Sequence, residues 1–446
     1  MARAKLQGMI AQMRQKVRLP AAWRKWLTIG IGIKRWIVLL AFSFVALSFA
    51  LALLLTLIFL RTADLLALDS VPLLALSLTL GISGSVALYI GATRLSRSIL
   101  APLLRGRRES LVDLMTDHAR QANGVRLVAL GGGSGLPSVL RAFKGQTGNI
   151  TAIVTVADDG GSTGILREEF GILAPGDLRQ NLAALADDES LITQLFQYRF
   201  TNGGLQGHSF GNLFLTALAD ITGGMDRAVI EASKVLATRG RVLPATLQDV
   251  QLGAEVRTAE RRLKRVIGES QIPKAGGTIE RVFLLPERAR AYPDSIRAIL
   301  SAELIVIGPG SLFTSILPTL LVDGIVQAVR ASNALVIYVC NIATQKGETE
   351  GFSVADHVLA LERHIGKGVL DVILANNACP QQNAGENTHY VAPMPLDHHL
   401  RYDYDVIETD LTDPQRPWRH SPEKLQRAIR DLLAERKLHA EMLRES

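Results

Sequence analysis

VRLVALGGGSGLPSVLRAFKGQTGNITAIVTVADDGGSTG, residues 125–164, sets the expectation for the fold. Twice a short apolar run, VRLVAL (125–130) and TAIVTV (151–156), ends in a glycine-rich loop. The first loop opens an amphipathic stretch from about Pro137 to Lys144. The same punctuation returns with ELIVIG (303–308) before PGS, ALVIYVC (334–340) before NIATQKGET, and VLDVILA (369–375) before NN. Near-continuous Val, Ile and Leu is how a strand buried on both faces reads. Strands alternating with helices imply an α/β, Rossmann-like parallel sheet, with all five loops at its carboxyl edge, where ligands bind in such folds. Around this frame, residues 176–240 read as helical and 242–285 as a small β-rich insertion, with VQLGAEV and TIERVFLL as its strands. Residues 378–420 read as loop, and 422–443 as a solvated surface helix.

The first hundred residues are different in kind. Residues 36–60 and 71–91 carry no charge, and about 20 apolar residues suffice to cross a bilayer as a helix. A pair of buried core helices is the alternative, but such helices usually keep a polar face. The net charge of +7 does not point to nucleic acid, because residues 1–35 hold nine Lys or Arg and no acid, more than the whole surplus. Basic residues also follow the second run, at Arg94, Arg97, Arg105, Arg107 and Arg108. Lys and Arg are retained on the cytoplasmic side, so the N-terminus and the main domain are both expected in the cytoplasm. The resulting organisation is a basic segment (1–35), two transmembrane helices (36–91), a linker (92–123) with a charged helix over 105–122, and the main domain (124–446). The two cysteines, Cys340 and Cys379, imply neither a disulfide framework nor a metal site. No prosthetic group is expected.

Five loops carry the candidate chemistry. In GGGSGL (131–136), residues Gly131, Gly132, Gly133, Ser134 and Gly135 let backbone N–H groups approach a phosphate at a helix start. The loop lacks the Lys-Ser/Thr of a P-loop, and Leu136 replaces the third glycine of a dinucleotide fingerprint, so a tight strand-to-helix turn is the competing reading. In ADDGGSTG (157–164), Asp158 and Asp159 before Gly160 could bind Mg²⁺ or a ribose, or could cap a helix. PGDLRQNL (175–182) offers Asp177 and Asn181, and GHSFGNL (207–213) offers His208 and Asn212. A helix cap for the aspartate and a structural role for the histidine stand beside the functional readings. GPGS (308–311) supplies Gly308, Gly310 and Ser311 as a second anion cradle, and NIATQKGET (341–349) adds Asn341 and Thr344.

Taken together, GGGSGLPSVLRAFK, TAIVTVADDGGSTGILREEFGILAPGDLRQNLAALAD, GHSFGNLFLTAL, SKVLATRGRVLPAT, IVIGPGSLFTSILPTLLV and YVCNIATQKGETEGFSVADHV resemble the gluconeogenesis-factor family. That family lies within the CofD-like group, related to 2-phospho-L-lactate transferase, and the resemblance spans roughly residues 124–435. It implies a nucleotide-sugar ligand, UDP-N-acetylglucosamine being the expected one, and a role in carbon metabolism, cell-wall synthesis and cell shape in bacteria. It implies that the Gly131–Gly135 loop and Asp158–Asp159 bind ligand and that Asp177 lies near the metal of the transferase branch. Arg419 of RHSPEKL (419–425) is implied to touch the sugar nucleotide, although Ser421 stands where relatives often have Asp. Cell-wall synthesis proteins are the implied partners, with self-association left open. A sugar-nucleotide-binding regulator is then the first reading and a Mg²⁺-dependent phospholactate-type transferase the second. A transferase needs an apolar, aromatic wall for its flat acceptor, and aromatics make up only 5% of the chain.

Overall fold

The computed structural model describes residues 34–62, 71–100, 124–186, 191–380 and 389–445. It divides into two compact units, Met1–Asp113 and Leu114–Ser446.

In the first unit two helices, Lys34–Thr62 and Val71–Leu100, pack as an antiparallel pair. Ser43, Ala50 and Leu57 are buried on one, and Ser77, Gly84 and Gly91 on the other, each set at a seven-residue spacing. Small residues bring the backbones close: a Cβ on Gly84 would sit 3.0 Å from Leu47, and one on Gly91 3.0 Å from Leu40. The outward faces carry exposed Phe42, Phe59, Ile82 and Tyr89. Stretches of 25 and 26 residues in these helices are long and apolar enough to cross a membrane. The segment 105–122 and residues 63–70 lie outside the described residues.

The second unit is an α/β, Rossmann-like domain. Its seven-stranded parallel sheet has the order β10-β9-β8-β7-β1-β2-β3. The strands are β1 (Leu127–Gly131), β2 (Ile150–Val154), β3 (Arg241–Pro244), β7 (Leu304–Ile307), β8 (Leu335–Val339), β9 (Val372–Asn376) and β10 (Asp405–Thr409). Every residue of β1, β2, β7 and β9 is buried, as their unbroken apolar runs require. Strand order runs outward in one direction from β1 to β3 and in the other from β7 to β10. Right-handed crossovers put the helices of the two halves on opposite faces, and the order reverses between β1 and β7, the place where open sheets leave a crevice. Between β3 and the Pro293–Leu300 helix, an antiparallel sheet of β4 (Gln251–Arg257), β5 (Leu263–Ile267) and β6 (Thr278–Leu285) is inserted in the order β5-β4-β6.

The five expected strands are all present; two further strands of the main sheet, and β5 of the insertion, were missed. Residues 241–244 belong to the main sheet and not to the insertion, and the 378–420 stretch contains β10. Both are edge strands. RVLP is short and ends in proline, and DVIET is polar and only half-buried, so neither shows a buried-strand pattern.

At the reversal the loops after β1 and β7 pack against each other. A Cβ on Gly135 would lie 2.5 Å from the Pro309 carbonyl oxygen. Gly135→Ala should therefore destabilise the domain by about 1–3 kcal/mol, as overpacking does. Gly145→Ala, which meets nothing within 4 Å, should leave thermal melting nearly unchanged. Equal melting of the two variants would contradict the loop contact.

Candidate functional site

The β1 loop is fixed from both sides. The Gly131 carbonyl accepts from Thr155 N and from Thr319 Oγ1, each at 3.0 Å. Gly133 takes a positive φ and donates its N–H to Asp177 Oδ2 at 2.8 Å. Gly132 has no room for a side chain, since a Cβ would meet that same carboxylate at 2.4 Å. The β7 loop turns at Gly308, and Gly310 N donates to Asn341 Oδ1 at 3.2 Å. The β8 loop then contributes Gln345, whose Nε2 donates to Ser311 Oγ at 2.7 Å. Thr344 is buried and bonded through both its N–H and its hydroxyl to the His389 carbonyl.

These three loops enclose a cavity of about 400 Å³. Of the expected residues, Ser134, Gly135, Gly310, Ser311, Asn341, Thr344 and Arg419 line it. Gly131, Gly132, Gly133 and Gly308 form the turns beneath it. Ser138, Glu348, Trp418 and His420 also line it, and the loop reading had not singled them out.

The remaining expected residues gather on the other side of the β1 loop. Asp158 Oδ1 accepts from Gly160 N at 2.9 Å, and Asp159 Oδ1 accepts from Ser270 N at 2.8 Å. Asp159 thus ties the β2 loop to the insertion. Asn181, wholly buried, donates from Nδ2 to the Asp177 carbonyl. Arg179 Nε donates to Asn212 Oδ1 at 3.0 Å, Asn212 Nδ2 to Ser162 Oγ at 3.2 Å, and Ser162 meets His208 Nδ1 at 3.0 Å. His208 therefore belongs to a hydroxyl–amide–guanidinium chain, and Asn212 is its central link.

Burial makes this region costly for negative charge. It pushes the Asp177 carboxyl up to about 7, with the Asp158 charge adding to the effect. Glu269, carried in by the insertion, is pushed up to about 8 by burial and then by Asp158, Asp159, Glu348 and Asp177. Glu348 is pushed up to about 7 by burial, against hydrogen bonds from Thr314 and from backbone N–H groups. Asp158 is raised too, chiefly by burial. Glu348 lines the cavity, Asp177 lies behind the β1 loop against Gly133, and Asp158, Asp159 and Glu269 repel one another beside it. Among the described residues no three His, Cys, Asp or Glu side chains converge to hold a metal. An ion here would rest on one or two carboxylates, with phosphate or water oxygens completing its shell, which is how Mg²⁺ usually binds. The donor set fits such an ion.

The comparisons decide the family. The model for 2-phospho-L-lactate transferase CofD matches residues 127–412. The chain belongs to the gluconeogenesis-factor family of the CofD-like group. The gluconeogenesis factor of Bacillus subtilis is 51% identical over 253 residues, covering 56% of this chain and 78% of that one. A relative from Nostoc sp. is 49% identical over 367 residues, 80% of each chain. The crystal structure of a Bacillus halodurans protein is 43% identical, with a TM-score of 0.65, and covers 69% of this chain and 99% of that one.

The titrations have a consequence for stability. Unfolded carboxyls are ionised above their ordinary values, whereas folded Asp177, Glu348 and Glu269 still hold protons near pH 7 to 8. The folded state binds more protons there, so stability falls as pH rises through that range. His420, buried and held down to about 4, acts in the opposite sense, and only below 6.5. In metal-free buffer the melting temperature should fall between pH 6.5 and about 8. Asp177→Asn should flatten that fall, by about half a proton near pH 7. An unchanged slope in the variant would remove Asp177 from the titrating group.

Proposed function

We propose that the protein is a membrane-held receptor for a nucleotide sugar of the UDP-N-acetylglucosamine type and that it acts as a regulator of carbon metabolism, cell-wall synthesis and cell shape. The observation that carries this reading is the cavity of about 400 Å³ where two glycine loops meet at the reversal of strand order. Its size lies in the range of small-ligand sites. Gly135 and the hydroxyls of Ser134, Ser138 and Ser311 suit phosphate oxygens, and the exposed cations Lys346 and Arg419 stand at its edge. Mg²⁺ beside Asp158 and Asp177 would offset the charge of those carboxylates and of a diphosphate together. In this reading Asp177 holds the Gly133 amide in place and Asn341 orients the β7 loop. The membrane pair brings the receptor to cell-wall synthesis proteins. Nucleic acid is not a partner, and self-association is compatible with the same role.

Calorimetry of the full-length protein with UDP-N-acetylglucosamine and Mg²⁺ should give saturable binding. Asn341→Ala should weaken it by roughly ten-fold, the loss of one charged-ligand hydrogen-bonding support. A guanylyl-activated phospholactate donor and a deazaflavin acceptor should yield no joined product. Multiple-turnover product that disappears in Asp177→Asn would make the protein a transferase instead.

For the membrane unit we propose a two-span topology with both ends in the cytoplasm. The Arg35 guanidinium lies 4.9 Å from the Trp36 ring centre and that of Arg94 lies 5.7 Å from it. Arg35 and Arg94, one from each helix, thus share one end of the pair, beside an aromatic suited to the interface, with Arg61 alone among the described basic residues at the other end. A reporter active only in the periplasm, fused after Ser446, should be silent. A strong signal would reverse the orientation.

A further inference from the structure

Among the described residues, Trp418 is the one Phe, Tyr or Trp side chain lining the cavity. It is half-buried, beside exposed Arg419. The turn that carries it is fastened without any ligand. Thr412 and His420 pair across it, Asp413 N donates to the Arg419 carbonyl at 2.9 Å, and Arg419 N donates to the Arg416 carbonyl at 2.8 Å. Asp413 Oδ1 accepts from both Gln415 N and Arg416 N. His420 Nε2 bonds the Cys340 carbonyl at 3.1 Å, anchoring the turn to the end of β8. Elsewhere in the same cavity, Gln345 Oε1 is buried and has no partner, while its Nε2 is engaged by Ser311. A buried amide oxygen without a donor is costly, and a ligand N–H would satisfy it.

We propose that Trp418 is the platform on which the ligand's nucleobase stacks, an inference that rests on the nucleotide-sugar reading above. The cavity is polar along the Ser134–Ser138 and Gly310–Ser311 side and aromatic at Trp418. That division matches a molecule with phosphates at one point and a flat π-face at another. A nucleobase is recognised by an aromatic face through stacking, and an indole carried on a turn already fastened costs no ordering of that backbone when it binds. Trp418 is a positioning and affinity residue here, with no part in bond making.

The sequence makes the test selective, because the remaining tryptophans, Trp23, Trp26 and Trp36, all lie in the N-terminal region. Full-length protein in detergent micelles is titrated with UDP-N-acetylglucosamine, with UDP and with N-acetylglucosamine-1-phosphate, by calorimetry and by tryptophan fluorescence. The wild type should change fluorescence with UDP and with UDP-N-acetylglucosamine. Trp418→Phe should bind both with nearly wild-type affinity and give no fluorescence change. Trp418→Ala should lose roughly ten-fold in affinity for both, on the scale of one base stack, while its melting temperature reports that the fold is kept. Wild-type binding by calorimetry without a fluorescence change, together with unaltered affinity in Trp418→Ala, would overturn the platform and leave the nucleotide reading intact. A loss confined to the sugar phosphate would mean that the indole carries the sugar ring and would also overturn it. No binding of any of the three by the wild type would overturn both.

Discussion

The contact on which the rest of the second unit depends is the approach of two loops at the reversal of strand order. Gly135 abuts the Pro309 carbonyl with no space for a larger residue, and a Cβ on Gly310 would lie tightly, at 3.1 Å, beside the Gly132 carbonyl oxygen. Backbones this bare can meet closely, and the side chains of Asp177 and Asn341 then hold the Gly133 and Gly310 amides in place. A parallel sheet supplies the crevice for topological reasons. The glycines bring the two loops together on one side of the cavity of about 400 Å³.

Charge is the second constraint, and it follows from the first. Closing the loops buries Asp177 against Gly133, and the insertion lowers Glu269 toward the same place. Buried carboxyls in this number repel one another and hold protons near neutrality. Holding those protons relieves the repulsion up to about neutral pH. The hydrogen-bond chain from Arg179 through Asn212 and Ser162 to His208 lies along the flank of this group. Burial lowers the Arg179 guanidinium from its usual range, with Arg199 acting in the same sense and Asp177 and Asp158 opposing.

The sequence made the central strands legible because each is a continuous apolar run, and it made the loops legible because glycine and hydroxyl residues cluster after those runs. It hid β3 and β10, whose edge positions leave them short or polar. At the site, the residues on strand-end loops were readable: Ser134, Ser311, Asn341 and Thr344 all line the cavity. Glu269 was not readable, because it reaches the acidic group on a short 3₁₀ helix of the inserted sheet, far from any strand end of the main sheet. Trp418 had one signal, its position directly before Arg419 in the late motif. An aromatic in a proline-rich stretch has no periodicity that gives its direction. Asp159 looked equivalent to Asp158 in sequence, yet it is the residue that ties the β2 loop to Ser270.

Hydrogen exchange of the full-length protein, with and without saturating UDP-N-acetylglucosamine and Mg²⁺, tests the central claim most directly, because it reads every loop at once. Ligand should slow exchange in peptides covering 131–136, 308–312 and 341–348, the three loops that enclose the cavity. Protection confined to the opposite edge of the sheet, around Arg126 and Arg241, or no protection at all under saturating ligand, would contradict it.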